Sequence, residues 1–448
     1  MKTKVTVVGA GLAGCEAAFL LASAGVPVTL IEQKPSVLSP AHKSENFAEL
    51  VCSNSLKAER RDSAAGLLKL EMRAMGSLCL RAADCSRVAA GGALAVNRDE
   101  FSAFVTRKIQ SHPLIEVVNR EQDRLPEGNA IIATGPLTQG GLYAELERLT
   151  GGTLSFFDAA APIVTAESVD FSRAFFASRY GRGGEDDYIN CPFNKEEYER
   201  FWNALVTAET ASLHEFDVYE GCMPIEVLAK RGMDTVRFGP MKPVGLKDPA
   251  TGHRPWAAVQ LRRENSAGTL YNLVGFQTNL KFGEQTRVFS MIPGLGKLEI
   301  VRYGVMHRNS FLDSPRALNP DLSLKVFDTG ENPSPRALNP DLSLKASGEI
   351  YVAGQLTGVE GYMESAACGL VAAMSLLKGK QFTPPPPDTM TGALMGYITD
   401  ESVKRFQPMG ANFGILPPLA EQIRDKRERY DALAVRALAS MDDWLTSF

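Results

Sequence analysis

The sequence predicts an α/β fold, a parallel sheet split in two by an α+β insertion, and three observations predict it. A strand, a glycine-rich turn, a helix and a second strand follow one another at the N-terminus. Two further apolar runs, near residues 130 and 350, each break into a glycine turn. Between roughly 166 and 294 the texture changes to polar loops, a charged helix and turn-bounded strands.

The first run, Lys4-Val5-Thr6-Val7-Val8, reads as a buried parallel strand. It leads into Gly9-Ala10-Gly11-Leu12-Ala13-Gly14 and an Ala/Leu-rich helix that stops at Ala24-Gly25. A second strand, Val28-Thr29-Leu30-Ile31, closes on Glu32. This is the complete dinucleotide-binding βαβ pattern rather than an isolated G-x-G-x-x-G. Gly9 makes the turn, Gly11 lets the backbone approach a pyrophosphate, and Gly14 allows close helix–strand packing. The helix start favours phosphate, and Glu32 accepts from ribose hydroxyls. A carboxylate at that position repels a 2′-phosphate, so FAD or NAD is expected in preference to NADP.

The run Asn129 to Pro136 is a strand ending in Ala133-Thr134-Gly135, and Glu349 to Gln355 is another. The latter continues through Gly354-Gln355, Gly358 and Gly361 into an apolar helix from about Ser365. Together these resemble the FAD domain of glutathione-reductase-like flavoproteins, where the late helix points its positive end at the flavin. The expected organisation is a discontinuous FAD-binding Rossmann domain, 1–165 with 295–448, and an inserted α+β substrate domain, 166–294. Within the insertion, a helix is expected from Lys195 to Ala208 and a strand from Trp256 to Leu261. A Pro-rich connector at 384–387 leads to C-terminal helices. Twelve residues, Ser314 to Lys325, recur identically at 334–345. The Asn-Pro inside each copy breaks a helix, and a duplication lengthening a surface loop is the expectation.

Composition narrows the function. Hydrophobic residues make up 44% and charged residues 22% of 448, an ordinary globular balance. No run has the apolar length of a membrane helix and no signal peptide is evident, so a cytoplasmic protein is expected. The seven cysteines are scattered, without C-x-x-C or His/Cys clustering, so neither a disulfide framework nor a metal site is expected. Most should be core thiols. A net charge of −4 provides no global field for a polyanion, so nucleic acid would need a local patch. Lys57, Arg60 and Arg61 form one candidate patch, Lys404 with Arg405 a second. The run Arg424 to Arg429 reads as a solvated helix face.

From Glu49-Leu50-Val51-Cys52-Ser53-Asn54-Ser55-Leu56-Lys57 onward the chain resembles one family, the folate- and FAD-dependent tRNA (uracil-5-)-methyltransferases. Arg81 to Ser86, Gly91 to Val96, Tyr188 to Pro192, Glu220 to Glu226, Arg237 to Gly245, Tyr303 to Asn309, Gly354 to Ser365 and Phe406 to Gly414 extend the likeness nearly end to end. The duplicated segment departs from the family pattern. The resemblance implies that reduced FAD carries a one-carbon unit from 5,10-methylenetetrahydrofolate to uracil C5 and reduces it to methyl, with NAD(P)H resupplying electrons. It implies a T-loop uridine of tRNA as target, no membrane and no obligate protein partner.

The chemistry agrees with that reading. Uracil C5 is a poor nucleophile until a group adds at C6, and a thiolate is the natural adduct former. The resemblance singles out Cys52 and Cys222, with Cys222 favoured as nucleophile and Cys52 as its partner at the flavin. Glu226 is a candidate proton shuttle. His307, with Arg308 and Asn309, is a candidate for the folate pterin, while His42, His112, His214 and His253 read as surface or loop residues. A target uracil must be flipped out to meet the flavin, so basic and aromatic residues are expected at the mouth. Four alternatives stand beside this reading. One is the same chemistry on ribosomal RNA, and another is a small-molecule FAD oxidoreductase, which lacks a second nucleotide fingerprint here. The third is the related wobble-uridine flavoprotein, whose long C-terminal helical domain does not fit in this length. The last is an FAD-stabilised RNA-binding scaffold.

Overall fold

The structure is a computed structural model. It describes every residue except 1, 2, 40, 151, 182, 183, 185, 212–222, 326–348 and 405, and it leaves aside the side chains of 156–158, 307 and 308. Five parallel strands make the first sheet, in the order Ile350–Val352, Ala130–Ile132, Val5–Val8, Val28–Glu32, Ile115–Asn119. Val5–Val8 sits at its centre, and Val7, Leu30 and Ile131 are fully buried, which is why these runs scarcely alternate. Segments from either side of the insertion meet here: Ile350, Tyr351 and Val352 are in register with Ala130, Ile131 and Ile132.

The late helix spans Tyr362–Lys378, three residues longer at its start than the apolar run indicates. It crosses the first helix, Leu12–Ser23, at very short range. A Cβ on Gly369 would lie 2.2 Å from the Ala13 carbonyl oxygen, so only glycine permits the approach.

The second sheet is antiparallel and six-stranded: Phe175–Phe176, Tyr188–Phe193, Ala257–Arg263, Leu270–Leu273, Ile163–Thr165, Ile300–Arg302. The expected charged helix is present as Lys195–Thr207, started by a reciprocal Asn194/Glu197 capping box. Its Tyr198, Phe201 and Leu205 pack on Ile189, Val259 and Phe276. An antiparallel ribbon of Thr153–Ala159 and Met306–Leu312 carries the chain out and back. The two crossings, 160–162 and 303–305, lie side by side, with the Ala160 N–H donating to the Val305 carbonyl at 2.8 Å. They lie just outside the 166–294 span because the texture of the sequence changes only after the first strand of this sheet.

The first copy of the repeated dodecapeptide is not a surface loop. Ala317, Leu318 and Leu322 are fully buried; the first two pack with Ile132, Leu146 and Val352, and Leu322 joins the core that holds Ile131 and Tyr351. Leu324 and Val352 exchange backbone hydrogen bonds with Ile350 and Leu322 across the sheet edge. Its short helix, Ser314–Ala317, ends two residues before the Asn319-Pro320 break, as that dipeptide requires. The second copy lies outside the described residues. After the Pro-rich connector come helices Met390–Thr399 and Lys426–Ser447. No helix among the described residues is long and apolar enough to cross a membrane.

Candidate functional site

A cleft of about 290 Å³ opens at the carboxyl ends of Val5–Val8, Val28–Glu32 and Ala130–Ile132, where open α/β sheets bind ligands. Each glycine of the fingerprint has a separate task. Gly9 has φ +97°, and a Cβ there would lie 2.5 Å from the Ala133 carbonyl oxygen. A Cβ on Gly14 would sit 1.8 Å from the Gly9 carbonyl oxygen, so this glycine serves packing beneath the turn. Gly11 has nothing within 4 Å of its missing Cβ, and it lines the cleft together with Ala10, Leu12 and Ala13 at the start of the first helix.

Glu32 closes the far side. It is buried, and its carboxylate accepts from the Ala10 N–H at 2.7 Å and the Lys34 N–H at 3.0 Å. Each oxygen keeps a lone pair for a ribose hydroxyl. Thr134, Gly135, Gly354 and Gln355 also line the cleft, and Thr134 shares a 2.6 Å hydrogen bond with Thr138. Gly358 and Gly361 are not among the lining residues. The first turns with φ +84° against Phe406, and the second precedes the late helix. The helix start, the open Gly11 and the acid at the second strand together fit an FAD-type dinucleotide.

At the rim stands Cys52, on a turn held by side chains from distant parts of the chain. The Tyr362 hydroxyl oxygen accepts from the Cys52 N–H at 2.6 Å and the Ser53 N–H at 3.1 Å. Arg98 donates to the carbonyls of Leu50 and Val51 at 2.8 and 3.1 Å, and its guanidinium pairs with the buried Glu264 of the second sheet at 2.8 Å. From strand Ala257–Arg263, which ends just before Glu264, Arg262, itself buried, donates to Asn54 Oδ1 at 2.9 Å and Ser53 Oγ at 2.8 Å. Asn54 in turn donates to the carbonyls of Val96 and Arg263. Burial pushes the Arg262 guanidinium down from its ordinary value. It pushes the Tyr362 phenol well up, and Cys52 adds to that rise. A thiolate at Cys52 sits in the field of two cations, Arg98 and Arg302.

The other thiols are placed differently. Cys15, Cys79, Cys191 and Cys368 are fully buried. Burial pushes Cys15 and Cys79 well up, Cys191 to about 12 and Cys368 to about 11, so none supplies a thiolate near neutral pH. Cys85 is exposed at the end of helix Leu78–Cys85, where a core position was the expectation. Its helix buries the opposite side through Leu78, Cys79, Ala82 and Ala83. Cys222 lies outside the described residues. Glu226 is buried and holds Thr278 Oγ1 and the Asn279 N–H at 2.8 Å each, which ties helix Ile225–Lys230 to the loop before Leu280.

Of the folate candidates, Asn309 is buried and lines the cleft. His307 and Arg308 lie on the same strand, and their side chains are outside the described set. Among the basic candidates, Lys57 pairs with the buried Glu364 at 2.7 Å and Arg60 with Asp62 at 3.5 Å. Arg61 binds Asp431 through two 2.7 Å hydrogen bonds. Lys404 is exposed, and Arg405 is outside the described residues. Sequence reasoning missed His42, a half-buried loop residue that lines the cleft with its Nδ1 2.6 Å from Ser39 Oγ. It also missed Arg98, Arg262 and Tyr362, whose roles depend on contacts more than forty residues away in sequence.

Fold and cleft define a dinucleotide-binding α/β protein of the flavoprotein type. The family model described as glucose inhibited division protein A matches residues 4–329 and 332–381. The chain is 54% identical over 446 residues to the methylenetetrahydrofolate–tRNA-(uracil-5-)-methyltransferase TrmFO of Moorella thermoacetica, covering 98% of this chain and 97% of that protein. It is equally identical over 453 residues to the TrmFO of Acetivibrio thermocellus, 99% of each chain. The chain belongs to the glucose inhibited division protein A family and, within it, to the methylenetetrahydrofolate–tRNA-(uracil-5-)-methyltransferases. The solved GidA structure from Aquifex aeolicus has the same fold. Its TM-score is 0.66 at 15% identity, over 99% of this chain and 73% of that one.

Proposed function

We propose that this protein forms 5-methyluridine in tRNA, with 5,10-methylenetetrahydrofolate as one-carbon donor and a bound FAD, and that Cys52, in exchange of roles with the Cys222 favoured from the resemblance, is the thiol that adds to uracil C6. The observation that carries the proposal is the position of Cys52, at the rim of the dinucleotide cleft and in the field of Arg98 and Arg302. Addition of the thiolate to C6 moves the C5=C6 electron pair toward the C4 carbonyl and makes C5 nucleophilic. C5 takes the one-carbon unit and loses its proton, and breaking the S–C6 bond restores the ring. Flavin held in the cleft supplies the electrons that bring the one-carbon unit to the methyl level, and NAD(P)H restores them.

The residues around the turn perform three tasks. Tyr362 fixes the Cys52 backbone through two accepted hydrogen bonds, so the thiol needs no search for its attacking position. Arg98 and Arg302 bring positive charge to the turn that carries Cys52. Asn309, inside the cleft, is available to a folate ring, with His307 and Arg308 proposed beside it. Cys222 is proposed as the second thiol, relaying a proton or shielding the adduct. The T-loop uridine is the proposed target. Lys404 is a proposed phosphate contact, and Lys404→Glu with unchanged tRNA binding removes it.

The test is nucleoside mass spectrometry after a single turnover of the flavin-loaded protein with unmodified tRNA transcript, methylenetetrahydrofolate and NAD(P)H. The expected result is 5-methyluridine that appears only when folate is present. Flavin binding without tRNA methylation would refute the proposal, and methylation of ribosomal RNA fragments instead would move the target.

A further inference from the structure

We infer that the RNA substrate docks on an exposed ledge beside the second sheet, formed by Tyr180, Phe238, Lys242, Val244, Lys247 and Arg254 of its helices and loops. The inference rests on the proposed RNA substrate and deepens it by assigning the surface. Phe238 at 66% and Tyr180 at 59% are the two most exposed large apolar side chains among the described residues. Val244, at 38%, precedes Gly245, which packs against the Tyr180 ring. Apolar surface this exposed, set among cations, suits an unpaired base that stacks on a ring while its phosphates are held.

The charge is local and of the right sign. Residues 230–254 carry six Lys or Arg against two Asp, a net +4 within a chain of net −4. Lys242, Lys247 and Arg254 are all exposed. The acids are already committed: Asp234 faces Arg237 at 3.4 Å, and Asp248 accepts from Ala250 N–H and Thr251 Oγ1 of its own loop. The Arg237 guanidinium lies 3.8 Å from the Trp256 ring centroid and 4.9 Å from that of Phe238, which fixes the Phe238 ring at the surface. The basic group at 57–61 contrasts with this, since each of its three cations faces a carboxylate.

Position links the ledge to the reactive turn. On strand Ala257–Arg263, Gln260 and Arg262 share a face. Arg262 grips Ser53 and Asn54 beside Cys52. Gln260 accepts from Arg179 Nε at 2.6 Å, and Arg179 donates to the carbonyls of Lys242 and Val244. The neighbouring Tyr180 stands in the left-handed region, φ +59°, with its ring against Gly245. One strand thus holds the Cys52 turn and the ledge two residues apart, about 7 Å along the backbone.

The test measures affinity of the full flavin-loaded chain for unmodified tRNA transcript by fluorescence anisotropy at several salt concentrations. The triple variant Lys242→Glu, Lys247→Glu, Arg254→Glu is expected to bind at least tenfold more weakly. Its slope of log affinity against log salt should shrink by about 2, from three lost phosphate contacts. The double variant Phe238→Ala, Tyr180→Ala is expected to lose several-fold with the slope unchanged. All of these side chains are at the surface, so melting temperature and bound flavin should match the unmodified protein. Wild-type affinity and slope in the triple variant, in a protein that still methylates tRNA when unmodified, would overturn the ledge and leave the proposed function standing. Failure of the unmodified chain to bind tRNA at all would overturn both.

Discussion

The dinucleotide cleft and the Cys52 turn meet at one rim, yet they are built by different means. The cleft is made of backbone: glycines at 9, 11 and 14, a helix start and the ends of parallel strands, with Glu32 closing the far side. The turn is made of side chains that arrive from Arg98, Arg262 and Tyr362 and close hydrogen bonds across spans of up to 310 residues. A backbone-built site depends on local geometry, so it tolerates little change at a few positions and much elsewhere. A site held by side chains ties the helices that begin at Arg98 and Tyr362 to strand Ala257–Arg263 of the second sheet, so damage there should spare the cofactor and reach the chemistry.

The largest expected effect is on the coupling. Arg98→Met leaves the buried Glu264 without its partner and should cost about 3–5 kcal/mol of stability, read by chemical denaturation. If the loss is under about 1 kcal/mol, the pair does not tie helix Arg98–Gln110 to the second sheet. Next comes the backbone-built region. Gly14→Ala forces a Cβ into the Gly9 carbonyl, with an expected cost of about 3 kcal/mol. Flavin absorbance per chain should fall with it, whereas Gly11→Ala should keep the fold and weaken the flavin alone. A Gly14→Ala protein with full flavin and full stability would remove the distinction.

Tyr362→Phe sharpens the comparison from the other side. It strips the acceptor from two N–H groups at the turn, an expected loss of about 1–2 kcal/mol. Turnover should drop while flavin content holds, and equal losses in both would make Tyr362 part of the cleft instead. The most gradual effect, smallest at any one step of pH, concerns Lys69, buried and donating to the carbonyls of Ala58 and Ala65. Burial lowers its ammonium from the ordinary 10.5 to about 8. The folded state therefore releases this proton first, and the cost of burying the charge is full below about pH 8 and fades toward pH 10.5. Relative to Lys69→Met, the unmodified protein should gain about 1 kcal/mol per pH unit across that window. A difference that stays flat from pH 7.5 to 9.5 would mean the charge is solvated.

What the sequence reveals follows the same division. The parallel strands, the fingerprint and Glu32 are legible because each is a local pattern of apolar runs, glycines and an acid within thirty residues. The Cys52 turn is legible only by resemblance, since nothing near Leu50 to Ser55 announces that Arg262 will reach it. The buried first copy of the repeat, with Leu318 and Leu322 in the core, reads from sequence as a loop. Its Asn-Pro and Ser-Pro steps signal turns, and they carry no record of the sheet edge that covers them. Exposed Cys85 has a similar cause: its helix buries one side, and a cysteine's burial depends on which side it takes.

The most direct test of the central claim uses tRNA transcript carrying 5-fluorouridine. Fluorine at C5 cannot leave as a proton does, so the thiol–C6 bond formed during turnover persists and can be mapped by peptide mass spectrometry. The account predicts an RNA-linked peptide containing Cys52, absent from Cys52→Ala. A link mapped to Cys222, or no link in a preparation that methylates ordinary tRNA, would contradict it.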